Sequence, residues 1–350
     1  MIKILLLSDY ASLGGHLDIM RVLIQHGARL SESKRILDIS VSRGYHHIVD
    51  FLLSQNYVDF QDKEKALHEA TFNGHLCVIK TLISHGMSLP STALHLALSS
   101  TRLDIARLLL ENGAGVVGLD RKGNSPVNYS IPKDRSASEE LIDQYAEIIQ
   151  TLIQNGANPN GGGRNQPPLH QASYWGHLKL VKLLRSLDAD VNLLYDRGST
   201  FGKWRTFEYA NNVSPLHDAC KVGDDDVVSF LLDSGAEIDA TDSNGDTPMM
   251  CAVLTTKMLT AHFHTSTGQM SYSSVGCNNT SVVKILIDRG SRIDTRNKLG
   301  ETALHLAAGN RNREQFVLLV RAGARLDLTS VKGDDPLMIN EGWGRSVCSR

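Results

Sequence analysis

The motif Leu-His-x-Ala returns five times, as KALHEA at 65–70, TALHLA at 92–97, PPLHQA at 167–172, SPLHDA at 214–219 and TALHLAA at 302–308. Looser copies stand between them: SPVN at 125–128, TPMMCA at 247–252 and DPLM at 335–338. His95 to Asn128, His217 to Met250 and His305 to Met338 are each 33 residues apart. Equal spacing means that one structural unit is repeated, and a unit this small buries its apolar face only by stacking on its neighbours. His68 to His95 is 27 residues, six short of the period. Asn128 to His170 is 42, His170 to His217 is 47 and Met250 to His305 is 55, which exceed the period by 9, 14 and 22. Insertions in a repeat array fall in loops, so each excess locates one.

Residues 214–246 show what one period contains. Ser214-Pro215 reads as a helix start, the hydroxyl accepting from a first-turn amide and Pro fitting the first helical position. PLHDACKVG is a short helix stopped by Gly223, and DVVSFLLDSG a second, nearly all-round apolar helix stopped by Gly235. AEIDATDSNGD follows as a turn-rich connector with Asn244-Gly245 at its tip. The second helix recurs nine times, from DIMRVLIQHG near the N-terminus to REQFVLLVRAG near the C-terminus.

A 33-residue period with T-P-L-H-x-A, followed by G-H-L as at 15–17, 74–76 and 176–178, resembles the ankyrin repeat over nearly the whole chain. The resemblance implies an all-α solenoid of helix-turn-helix units with β-hairpin or turn connectors, about nine full repeats and part of a tenth. It also implies a structural role for His68, His95, His170, His217 and His305, tying neighbouring helix starts together. His16, His75 and His177 belong to the turn between helices. The expected array covers residues 1–340, with short-period repeats lacking full fingers over 1–89 and full-fingered repeats over 90–328, then a tail at 341–350. Insertions are expected at about 129–142, 193–213 and 255–279, the first as a loop or helix extension and the last, rich in Ser, Thr and Gly, as a mobile excursion. The first and last units carry apolar residues without a capping partner, so Leu337, Met338 and Trp343 are expected to be exposed.

Acids and bases nearly balance, 38 against 36, giving a net charge of -2 and no electrostatic case for nucleic acid or an anionic membrane. Cys77, Cys220, Cys251, Cys277 and Cys348 are odd in number and unpaired in spacing, which points to a reduced, cytoplasmic or nuclear setting. IKILLL at 2–7 is too short for a membrane span.

No catalytic constellation emerges. GGGRNQ at 161–166 lacks the Lys-Ser/Thr of a phosphate loop and reads as a hairpin tip. His262 and His264 with Cys251 and Cys277 have no C-x-x-C pair, so no metal and no cofactor are expected. The resemblance implies instead a non-enzymatic scaffold or adaptor whose partner is a protein, not a nucleic acid or small molecule. Partners of this fold dock on a concave surface made of fingers and first-helix ends. The positions there are Phe72 and Asn73, Tyr174 and Trp175, Lys221 and Val222 before the turn, and Arg121 and Lys122, Ser243 and Asn244, Lys298 and Leu299 at the finger tips. An exposed Tyr-Trp pair suits an interface anchor, or else packs under the 193–213 insert. The rival function is a substrate-recognition subunit of a ubiquitin ligase, although EGWGRSVCSR at 341–350 does not resemble a ligase-recruiting box. Asn192, preceded by Leu184 and Asp190-Val191, matches the pattern recognised by an asparaginyl hydroxylase and is a candidate modification site as well as an ordinary turn residue.

Overall fold

The computed structural model describes residues 11–26, 33–55, 57, 60–163, 165–196, 211–254, 258–263, 270–275 and 279–341. Helices come in pairs: Ser33–Ser42 with His46–Ser54, Phe60–Asn73 with Leu76–Ser84, Ser91–Ser99 with Leu103–Glu111, and a short 3-10 turn Pro126–Tyr129 with Glu139–Gln154. Then follow Pro168–Trp175 with Leu178–Ser186, Pro215–Val222 with Asp225–Asp233, Pro248–Val253 with Thr280–Asp288, and Ala303–Gly309 with Arg313–Arg321. Leu17–Gln25 precedes them as a second helix, and Pro336–Glu341 closes the order as a first helix. The chain divides into two compact units, Met1–Ser130 with Glu147–Gly163, and Ile131–Ala146 with Arg164–Arg350.

Within each unit the core is the row of apolar residues that the repeat predicts. Leu67 and Ala70, Leu94 and Ala97, and Leu216 and Ala219 are buried on first helices. Ile105, Ala106 and Leu109, or Val227, Val228 and Leu231, are buried on second helices. Left-handed backbone recurs at three places per repeat: after the first helix (Gly74, Gly176, Gly223), after the second (Gly86, Gly235, Gly290) and at the finger tip (Gly123, Gly245, Gly300). Thr101 and Arg311, Asp188 and Asn212 adopt it where glycine is missing, so the conformation persists where the sequence signal fails.

Within the units, three hydrogen-bonded columns join neighbouring repeats. In the first, motif histidines bond the start of their own helix through Nδ1 or the start of the next repeat through Nε2, and one ring can do both. His217 does so with Ser214 N–H at 3.2 Å and Asp246 O at 3.1 Å. His95 reaches Asn124 O at 2.9 Å and His170 reaches Val213 O at 2.9 Å. His305 accepts from Thr302 N–H at 3.1 Å, and His68 meets Thr92 Oγ1 at 3.1 Å. Burial holds the His217 and His305 imidazoles below their ordinary pKa, as a neutral ring with one accepting nitrogen requires.

The second column runs backwards. Residues opening a second helix reach the end of the preceding first helix, as His75 Nε2 does with Ser42 O at 2.8 Å and Asn279 Nδ2 with Cys220 O at 3.0 Å. His177 Nε2 likewise reaches Pro132 O at 3.0 Å. The third column links connectors: Asn192 Oδ1 accepts from Glu237 N–H, Asp239 Oδ1 from Arg292 N–H and Asp294 Oδ1 from Arg325 N–H, at 2.8 to 3.0 Å.

These columns fix where the extra chain goes. The histidine link spans 29 residues at His217 and 43 at His170, a difference of 14. The connector link spans 31 residues at Asp294, 45 at Asn192 and 53 at Asp239, differences of 14 and 22. Those are the sequence excesses of the second and third insertions, so both are looped out of an unchanged repeat. The first insertion lengthens a helix: Glu139–Gln154 has 16 residues where the other second helices have nine. The third is not simply the irregular excursion its composition suggested. It forms an antiparallel ribbon, β1 (Met258–Phe263) against β2 (Met270–Val275), pairing Met258 with Val275 and Phe263 with Met270. Thr, Tyr, Phe and Val interleaved with serine give it enough strand propensity to pair. Of the second insertion, Tyr195 pairs with Val213, and residues 197–210 lie outside the described part.

The glycine run at 161–163 is a steric necessity. Gly162 N–H donates to Asn128 Oδ1 at 2.9 Å, which draws the two connectors together. A Cβ on Gly163 would lie 2.3 Å from the Gly123 carbonyl carbon, and its φ of +77° is left-handed. Gly163→Ala is expected to destabilise this connector by about 2 kcal/mol, combining left-handed strain with backbone displacement. Faster amide exchange at 120–124 and 158–163 is the expected observation.

Candidate functional site

Among the described residues no group of three His, Cys, Asp or Glu side chains is placed to hold a metal. Of the one metal-like group in the sequence, His262 falls in strand β1, and His264 and Cys277 lie outside the described residues. Cys77, Cys220 and Cys251 are free thiols, and burial pushes the Cys220 thiol well above its ordinary range, away from the reactive thiolate. No described helix is long and apolar enough to cross a membrane.

What the two units present instead is a set of helix ends and finger tips. In the first unit, Phe72 ends its helix 64% exposed, Asn73 beside it is half-buried, and Arg121 and Lys122 are exposed at a finger tip. Asp120 shapes that tip, its carboxylate accepting from the Lys122 and Asn124 amides at 2.7 and 2.9 Å. The same turn recurs with Asp242 and with Asn297, which accepts from the Leu299 and Glu301 amides at 2.9 Å.

In the second unit, Tyr174 and Trp175 are half-buried at the end of Pro168–Trp175, their rings edge to face with centroids 5.3 Å apart. Gly176 turns the chain immediately afterwards at φ +74°, and the space of its missing Cβ holds the Asp224 carboxylate. Lys221 is half-exposed, while Asn244 and Lys298 are exposed and adjacent, the Lys298 amide donating to Asn244 O at 2.9 Å.

Some expected surface residues prove structural. Val222 is only 2% exposed, so it is not available to a partner. Asn279 clamps the end of its helix through the Cys220 and Lys221 carbonyls and closes over Gly223, drawing the last turn inward. Ser243 is half-buried and exchanges two hydrogen bonds with the Asn211 backbone, both 2.8 Å. Leu299 is half-buried and accepts from the Val331 amide at 2.8 Å. Asn192, the candidate modification site, uses both amide atoms on the next connector, donating to Gly235 O and accepting from Glu237 N–H. Leu337 and Met338 are exposed as expected, and Trp343 lies outside the described residues.

One electrostatic feature escaped the sequence reading. Asp246 is buried, accepts from Asn297 Nδ2 at 2.8 Å, and has Asp242 and Glu301 as acidic neighbours. Burial, opposed by the Asn297 hydrogen bond and reinforced by those two charges, pushes its pKa up to about 6. Only the stacking of one finger on the next buries it, which no local pattern announces.

Similarity to known proteins agrees with this architecture. Family models of ankyrin repeats match residues 37–120, 67–160 and 271–345, with further matches at 164–196 and 216–258. Over 91% of its length the chain is 26% identical to the ankyrin repeat domain-containing protein SAT10 of Stachybotrys chartarum, covering 20% of that protein. It is 24% identical over 80% of its length to the B-cell lymphoma 3 protein homolog of Mus musculus, covering 48% of it. It is 27% identical over 53% of its length to human ankyrin repeat and SOCS box protein 16, covering 46% of that protein. The crystal structure of the human ASB11 ankyrin repeat domain has a TM-score of 0.52 at 23% identity, over 70% of this chain and 90% of that one. The chain thus spans from a fifth to about half the length of these curated relatives. With the 33-residue period, the histidine column and the finger turn all in place, the chain belongs to the ankyrin-repeat family.

Proposed function

We propose that the chain is a protein-interaction scaffold that docks a partner on its first-helix ends and finger tips and performs no chemistry itself. The observation that carries this reading is the Tyr174–Trp175 pair, two large rings packed edge to face and left half-exposed at a helix end. Such rings bury ~150–250 Å² each when covered, at little cost in side-chain entropy. Half-exposed Lys221 and exposed Asn244 and Lys298 of the same unit supply a polar rim. Trp175→Ala is expected to weaken binding of a copurifying partner by about 2 kcal/mol, roughly thirtyfold, with the melting profile unchanged. A lowered melting temperature with affinity intact would instead make the pair part of the core.

A second reading, a substrate-recognition subunit of a ubiquitin ligase, is favoured by the similarity to the human ankyrin repeat and SOCS box protein. Affinity purification distinguishes the two, because ligase subunits copurify only under the second.

A further inference from the structure

We propose that the first finger, residues 116–124, is an open edge on which an extended segment of a partner protein docks, carrying apolar side chains at alternate positions and carboxylates beside them. This deepens the interaction reading above and rests on it.

Later fingers show how such an edge is closed. The Ser243 amide donates to Asn211 O at 2.8 Å, Lys298 to Asn244 O at 2.9 Å and Val331 to Leu299 O at 2.8 Å. Each donor directly follows the residue that opens the tip turn, Asp242, Asn297 or Ser330. Arg121, directly after Asp120, holds the same place in the first finger. The connector before it, HGMSLPS at 85–91, has no tip to offer. It covers only the base of the arm, where Gly115 N–H donates to Leu89 O at 3.2 Å and Gly118 lies against Ser91. Beyond Gly118, neither Leu119 nor Arg121 makes a hydrogen bond or ion pair among the described residues.

The side chains on this arm break the internal pattern. Val117 stands in the column of Asp239, Asp294 and Asp327, and Leu119 in that of Thr241, Arg296 and Thr329. Asp239 and Asp294 hold the next connector, which valine cannot do, and Val117 and Leu119 are left 68% and 60% exposed. Two apolar residues at alternate positions beside an unpaired backbone donor are the features by which an added strand is recognised. Arg121 and Lys122 are exposed and form no ion pair among the described residues, so carboxylates on the incoming segment complement them.

Short random peptides displayed for selection against the whole chain provide the probe. The expected winners alternate apolar residues and carry Asp or Glu. Synthetic versions should lose at least tenfold in affinity on Val117→Asp with Leu119→Thr, and on Arg121→Glu with Lys122→Glu. Asp and Thr occupy these columns in sister fingers, so circular dichroism and melting should not change. Binding should also slow amide exchange at Arg121, which a docking site elsewhere would leave alone. Winners that ignore these substitutions but are lost on Trp175→Ala would keep the interaction reading and overturn the open edge. Recovery of no peptide would overturn the edge alone, the wider reading being judged by the Trp175 assay. Concentration-dependent dimers abolished by the same substitutions would make the occupant a second copy, which also overturns the proposal.

Discussion

His217→Ala is expected to remove about 3 kcal/mol from the stretch of the array that it joins, because it leaves buried polar groups on both sides without partners. The Ser214 amide loses its acceptor and the Asp246 carbonyl its donor, in a site where the imidazole is itself buried. A lost cap costs about 0.5–2 kcal/mol and an abandoned buried group about 1–3 kcal/mol, so the sum exceeds either alone. Repeat arrays unfold by neighbours, so local hydrogen exchange is a sharper readout than one melting temperature. Protection should fall first across 214–254 and 279–309. The dependence on pH has a definite sign. The folded His217 pKa is depressed below the unfolded value, so its contribution is complete above the unfolded pKa of 6.5 and is lost as pH falls through the lower folded value. The wild type should weaken through that acid window more steeply than the variant.

Asp246→Asn should act in the opposite direction. Its carboxyl is raised from 3.8 to about 6 in the fold, so the folded state holds the proton more tightly than the unfolded chain. This stabilising contribution is complete below 3.8 and disappears as pH rises through 6. At neutral pH the buried carboxylate therefore costs about 3 kcal/mol relative to an uncharged side chain, from the shift between those two values. Asparagine keeps an acceptor for Asn297 Nδ2 and removes the repulsion from Asp242 and Glu301. Urea titrations at pH 5 and pH 8 should show the variant ahead by about 3 kcal/mol at pH 8 and by about half of that at pH 5. Equal gains at both would contradict the assignment.

The repeat itself was legible because each column serves one geometric purpose. His217, Ser214 and the residue before the next helix start form a closed set of partners, so the same residue types must return at the same spacing. The finger turn at Asp120, Asp242 and Asn297 is legible for the same reason. Legibility fails where a role belongs to the backbone. Thr101, Asp188, Asn212 and Arg311 take the left-handed conformation without glycine, so those repeats read as irregular and fold as regular ones. It fails again where burial comes from a neighbouring unit. Val222 looks like a free position until Asn279, more than fifty residues later, closes over its helix end. Val117 and Leu119 were readable in principle, by aligning the fingers with one another and asking which columns change from polar to apolar.

The looped-out insertions bear on how such a chain can change. The residues flanking the second insertion are held in register by the histidine and connector columns and those flanking the third by the connector column, so the ends of each loop stay fixed whatever lies between them. Closing a loop between fixed ends grows in cost only logarithmically, about 0.6 kcal/mol for each doubling of length. Segments between 193 and 213 or between 255 and 279 are therefore free to lengthen, shorten or be exchanged for another folded module while the flanking repeats keep their bonds. The array behaves as a rack with two open slots, where new recognition surface can be gained without refitting the core.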